Sequence, residues 1–314
     1  MAGQIKQRLL KFNTPRRIVQ FLSFIFLSAI IFNLGSLPIL LPVLWTWGLN
    51  QNTAGDAFTA IQLQLSGWNS VSVIFPWLAI ASFLIVGILV GKSMCGWVCP
   101  FGFIQDLVGF MRRKTTEFSQ RTHKNMLYAK FFVLGITLFI SITYSAAILN
   151  GVGAGYGSAL GIFANAPFTT LSPAETLFAT VPRAVQDFSS SASVGKVNIL
   201  SGIYKATGLL WVQLFILICV LLLAAYIPRG WCRYFCPHAA IMAILNNFSF
   251  IGLHRDPVKC AKGGCRHCVE VCPMRVPILD TAQAPWEKFS HPECIYCMKC
   301  VDACPDKAIR LKYP

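Results

Sequence analysis

Residues 294–305 read CIYCMKCVDACP, with Cys294, Cys297, Cys300 and Cys304 at C-x2-C-x2-C-x3-C and Pro305 directly after. Three thiolates this close wrap three iron corners of one [4Fe–4S] cluster, and the fourth, set apart before proline, reaches a second cluster. A related run lies upstream: CAKGGCRHCVEVCP, residues 260–273, carries Cys260, Cys265, Cys268 and Cys272. It has four residues rather than two after its first cysteine, and Gly263 and Gly264 make that loop pliant. Crossing the fourth cysteines gives Cys260, Cys265, Cys268 and Cys304 to cluster 1, and Cys294, Cys297, Cys300 and Cys272 to cluster 2. Zinc ribbons also use C-x2-C pairs. Two triplets, each followed by C-P, favour iron–sulfur over zinc. A disulfide framework is the other alternative, and the cytoplasmic side keeps thiols reduced.

Outward from this tail the composition changes. Of 314 residues 55% are apolar and only 12% charged, about half the charge of an ordinary soluble domain. No charge falls between Asp56 and Lys92, Lys130 and Glu175, or Lys205 and Arg229. A spanning helix needs about 20 mainly apolar residues, and residues 18–44, 71–90, 131–149 and 207–227 qualify. Pro38 and Pro42 end or kink the first, whose apolar part is too long for a signal peptide and has no convincing cleavage site. The net charge of +15 sits beside the spans, where Lys and Arg meet anionic headgroups, and no aromatic-basic platform for nucleic acid stands out. Residues 1–17 and 92–130 hold twelve Lys and Arg, against three in 45–70 and 150–206. That bias predicts cytoplasmic N- and C-termini in a multi-pass protein of the cytoplasmic membrane. In the outer loop, residues 159–166 and 174–185 are candidate interfacial helices. The expected fold class is an α-helical integral membrane protein: a cytoplasmic tail 1–17, a four-helix transmembrane domain 18–254 made of two repeated hairpins, and a cytoplasmic α+β domain of bacterial-ferredoxin type at 255–314.

Two further cysteine pairs follow spans two and four. They read MCGWVCPFGFIQDLVGF from Met94 and WCRYFCPHAAIMAIL from Trp231. Cys95, Cys99 and Pro100 align with Cys232, Cys236 and Pro237, an internal repeat of two hairpins each ending in C-x3-C-P. Spacing of four places both sulfurs of a pair on one helical face. Two such pairs can converge as four thiolates for an iron or cluster site, or act as reactive dithiols. Nearby Lys92, Arg229 and Arg233 favour the thiolate. The alternative is small buried residues at interfacial turns, the role expected of the lone Cys219 within span four.

These four spans, the motifs MCGWVCP and WCRYFCP, and the two tail runs resemble the NapH/MauN-like membrane polyferredoxins over nearly the whole chain outside 150–206. The C-x3-C-P modules of the NosR and CcoG families look similar. His238 after Pro237 and the lengthened Cys260 loop depart from the family pattern. The resemblance implies electron exchange between the quinone or quinol pool and a partner redox protein, through two [4Fe–4S] clusters. The alternative function is a maturation or metal-reduction factor acting through the C-x3-C-P thiols. A third is a membrane anchor with structural clusters.

The five histidines, His123, His238, His254, His267 and His291, all lie outside the spans, which leaves bis-histidine haem without ligands there. C-x-x-C-H, G-x-G-x-x-G and the P-loop do not occur in the sequence, so neither c-type haem nor nucleotide chemistry is expected of this chain. A quinol site needs an apolar cleft and a proton acceptor. His238 and Asp106, each beside a C-x3-C-P motif, are the candidates.

Overall fold

The computed structural model describes residues 13–27, 84–111, 119–163, 171–181, 208–260, 265–279, 289 and 291–312. In chain order the elements are α1 (Asn13–Leu27), α2 (Ser93–Trp97), α3 (Pro100–Met111), α4 (Gln120–Leu127), α5 (Ala129–Leu149) and α6 (Gly153–Leu160). After a π-helical turn at Thr176–Thr180 come α7 (Gly208–Tyr226), α8 (Gly230–Tyr234), α9 (Pro237–Asn246), β1 (Gly252–Arg255), α10 (His267–Glu270), α11 (Lys299–Ala303) and β2 (Ile309–Lys312). The architecture is mostly helical with one small sheet. β1 and β2 pair antiparallel, Leu253 opposite Leu311.

The chain forms two compact units. The second gathers Ile25–Phe83 and Gly135–Leu223. Among the described residues, two helices are long and apolar enough to cross a membrane, Arg121–Leu149 and Gly208–Tyr226. They coincide with the third and fourth expected spans. Of the first two spans, 18–27 and 84–90 are helical, and the rest lies outside the described residues. On α5 the small polar side chains Thr137, Ser141 and Ser145 recur every four residues and are buried, whereas Phe139 and Ile142 are exposed. Small residues on the covered face and large apolar ones outside suit a helix surrounded by lipid. α7 is apolar all round and exposes Phe215, Ile218 and Leu222. Cys219, expected to be buried, is exposed on it. On a helix apolar on every side, a small thiol has no reason to turn inward. The helix expected over residues 159–166 is centred earlier: α6 ends at Leu160, a 3-10 turn follows at Gly161–Phe163, and residues 164–166 lie outside the described residues.

The first unit gathers Met1–Phe24, Leu84–Leu134 and Ala224–Pro314. All the candidate site residues belong to it.

Candidate iron–sulfur site

The C-x3-C-P motifs do not form continuous helices, contrary to the expectation of two sulfurs on one helical face. α2 ends at Trp97, and α3 begins at Pro100. The repeat is built alike: α8 ends at Tyr234, Cys236 is extended (φ −74°, ψ 115°), and α9 begins at Pro237. The reason is steric, because a residue before proline is pushed out of the α region, while proline itself suits the first helical position. Each Cys-Pro pair thus makes the cysteine a helix N-cap. Gly102 N–H donates to Cys99 Sγ at 3.4 Å, and the backbone amides of Ala239 and His238 lie near enough to Cys236 to favour its charged form, without a cap hydrogen bond. Free N–H groups at a helix start favour negative charge on sulfur.

Cys95, Cys99, Cys232 and Cys236 all lie within electrostatic reach of one another. Gln105, fully buried, donates from Nε2 to Cys232 Sγ at 3.1 Å. Burial pushes the Cys95 thiol up to about 11, although Lys92 and Arg229 pull the other way, and it raises Cys232 too. The neighbouring cations therefore do not make free thiolates here, as the sequence suggested. Desolvation outweighs them, and a bound metal centre would have to displace the protons.

Around these cysteines lie two buried ionic clusters. Arg229, fully buried, donates to both Asp106 oxygens (2.8 and 2.7 Å) and to the Cys95 carbonyl at 2.7 Å. Arg16 reaches Asp106 Oδ2 and, with Gln20, the Gly96 carbonyl at 3.0 and 2.9 Å. Burial alone would raise the Asp106 carboxyl; the two guanidinium groups outweigh it and hold the acid below the usual carboxylate range. The second cluster joins Lys92 and Lys130, both fully buried, to Glu293, at 2.7 Å from Lys92. Lys92, Lys130 and Arg229 read in the sequence as cations facing headgroups. They are instead inside, each paired with a carboxylate, the condition on which charge is tolerated there.

The tail sets its cysteines in two groups. Cys272, Cys294, Cys297 and Cys300 lie within electrostatic reach of one another. They line one apolar pocket among Leu253, Met274, Val276 and Ile278. The loop winds through left-handed φ at Tyr296 (46°) and Met298 (59°), on either side of Cys297. Val276 N–H donates to Cys272 Sγ at 3.4 Å. Four thiols around one apolar pocket fit a [4Fe–4S] group, which takes one thiolate on each iron. Cys268 has Cys260 and Cys265 within electrostatic reach. Cys304 accepts from Ala308 N–H at 3.3 Å, without a described contact to those three. Among the described residues no three Cys, His, Asp or Glu side chains converge on one metal ion.

His238 is half-buried on the first turn of α9. Gln105, Asn246, Gln20 and Glu293 were not singled out from the sequence. Glu293 immediately precedes Cys294, and that adjacency was the available signal.

A family profile described as "4Fe-4S binding domain" matches residues 72–116 and again 207–253, covering both C-x3-C-P motifs. A second, "4Fe-4S dicluster domain", matches 259–309. The chain is 25% identical over 232 residues to "Ferredoxin-type protein NapH" of Haemophilus influenzae, covering 72% of this chain and 64% of that protein. It is 23% identical over 261 residues to "Methylamine utilization ferredoxin-type protein MauN" of Methylobacillus flagellatus, covering 82% and 74%. Its tail is 39% identical over 57 residues to a ferredoxin of Methanothermococcus thermolithotrophicus, 18% of this chain and 92% of that one. The chain thus spans about two thirds of the length of NapH. No solved structure matches it. Site and profiles together define an iron–sulfur electron-transfer protein of ferredoxin type. In sequence the chain is similar to the NapH/MauN-like polyferredoxins.

Proposed function

We propose that the protein passes electrons between the membrane quinone pool and a partner redox protein at the cytoplasmic face. Two [4Fe–4S] clusters sit in the tail, on Cys260, Cys265, Cys268 and Cys304 and on Cys272, Cys294, Cys297 and Cys300. A third is held by Cys95, Cys99, Cys232 and Cys236. The observation that supports this reading is that these last four thiols, from two repeated hairpins, lie within electrostatic reach of one another in the same compact unit as the tail. Clusters held by these cysteines would supply one-electron acceptors, so that the two electrons of a quinol, released with two protons as it becomes quinone, would need two of them. The chain's own residues prepare the hairpin site. Gly102, Ala239 and Gln105 aim N–H groups at three of its sulfurs, and such bonds tune cluster potentials. Asp106, kept charged by Arg16 and Arg229, ties the hairpins together. It is thereby a poor proton acceptor at neutral pH, which leaves His238 as the candidate base for quinol.

The arrangement we propose in the membrane is a 1–17 tail, four spans within 18–254, and a cytoplasmic 255–314 domain. Replacing Ser191→Cys should add a site labelled from the outer face. Labelling only after permeabilisation would reverse the orientation. For the clusters, iron and acid-labile sulfide are to be counted in the full chain, purified anaerobically in detergent. About twelve irons are expected, four per cluster, falling to about eight in a Cys99→Ala, Cys236→Ala double variant. A single metal ion at the hairpin cysteines would instead favour metal handling.

A further inference from the structure

The two tail sites are not equivalent, because the contacts from the hairpins gather around one of them. Trp97 Nε1 donates to the Tyr296 carbonyl at 2.9 Å. Asn246 Nδ2 donates to the carbonyls of His291 (2.6 Å) and Cys294 (3.2 Å). Lys92 holds Glu293, beside Cys294. Arg233 Nη1 donates to the Pro273 carbonyl at 3.4 Å, beside Cys272. Gly96 comes so close that a Cβ there would stand 2.2 Å from the Ile295 carbonyl oxygen. Gly96 and Arg233 occupy the same place in the two repeats, one residue after Cys95 and Cys232. Both halves of the repeat thus grip the site of Cys272, Cys294, Cys297 and Cys300, from its two sides in sequence. Of this site's cysteines three are buried and Cys272 is half-buried; of the other's only Cys268 is buried, Cys260, Cys265 and Cys304 are half-buried, and the neighbouring Arg266 and His267 are exposed.

We infer that the Cys272/Cys294/Cys297/Cys300 site is the inner station of the tail, in electronic contact with the hairpin cysteines through Gly96 and Trp97. The Cys260/Cys265/Cys268/Cys304 site is the outer station, presented to the partner redox protein. This ordering rests on the electron-transfer reading above, and its test uses no quinol, so the two fail separately. The full chain is purified anaerobically in detergent, reduced with dithionite, and examined by EPR power saturation with a soluble dysprosium chelate. The chelate should speed relaxation of one tail signal and spare the other. The spared signal should be the one missing from Cys297→Ser. Gly96→Ala forces Ile295 away through a backbone clash, and should make the spared signal chelate-sensitive while iron content stays at the wild-type level. Equal sensitivity of both wild-type signals would overturn the ordering. So would a spared signal that survives in Cys297→Ser, or a Gly96→Ala protein that keeps its shielding.

Discussion

The two C-x3-C-P hairpins are nearly the same sequence machine, yet they spend their equivalent residues differently. Lys92 and Arg229 stand three residues before the first cysteine of each pair, and both are fully buried. Lys92 pairs with Glu293 of the tail, whereas Arg229 pairs with Asp106 of the other hairpin. Gly96 meets the tail through bare backbone; Arg233, its equivalent, reaches it with a guanidinium that also touches His123 Nδ1 at 3.0 Å. The N-cap geometry around the second cysteine, by contrast, is common to both. The repeat preserves what places sulfur and has diverged in what docks the tail.

Breaking the Lys92 side should have the largest effect. Glu293→Gln leaves Lys92 and Lys130 buried without a counter-charge, at a cost of about 3–5 kcal/mol. Thermal unfolding followed by circular dichroism should show it, and Lys130→Met, which keeps the Lys92–Glu293 pair, should lose clearly less.

Next comes a pair of glycines that the repeat itself calibrates. Gly96→Ala drives a Cβ into a backbone oxygen, an overpacking worth about 1–3 kcal/mol. Gly102→Ala meets the Cys95 carbonyl only at 3.2 Å, and its counterpart in the second hairpin is already Ala239. It should fall within about 0.5 kcal/mol of wild type. Equal losses would mean that the close approach to Ile295 does not exist.

Trp97→Phe removes one hydrogen bond to the Tyr296 carbonyl, and about 0.5–1.5 kcal/mol with it. A pH-dependent effect, confined to a narrow window, comes from His123, which meets Arg233 of the second hairpin. Burial and the neighbouring Arg233 push His123 down to about 4, so it is neutral where the unfolded chain begins to bind a proton. Its contribution is complete above about pH 6.5 and fades as pH falls towards 4. His123→Gln should flatten the unfolding temperature across that window, and Trp97→Phe should leave the slope unchanged.

The cysteines were the legible part. Their spacing proposes Cys272, Cys294, Cys297 and Cys300 as one ligand set, and these four line one pocket; it proposes Cys304 with Cys260, Cys265 and Cys268 equally, and no described contact joins Cys304 to those three. The repeat was equally plain, since Cys95–Pro100 and Cys232–Pro237 align without a gap, and the apolar runs at 131–149 and 207–227 became α5 and α7. The charges were harder. A lysine at the end of an apolar run looks the same whether it faces headgroups or a carboxylate two hundred residues away, and the Lys92–Glu293 pair is of the second kind. Pro100, directly after Cys99, marks the helix break that a spacing of four does not show. Gln105 and Asn246 carry no pattern: a lone amide becomes informative only when its partners, Cys232 Sγ and the Cys294 carbonyl, are known.

The most direct test of electron transfer through the hairpins is to add a quinol to the anaerobic full chain in detergent and record EPR spectra. Reduced [4Fe–4S] signals from the tail are expected in the wild-type protein. In the Cys99→Ala, Cys236→Ala variant they should be absent with quinol, although dithionite still produces them. A wild-type protein that quinol leaves oxidised, or a double variant reduced as fast as wild type, would contradict electron transfer through the hairpins.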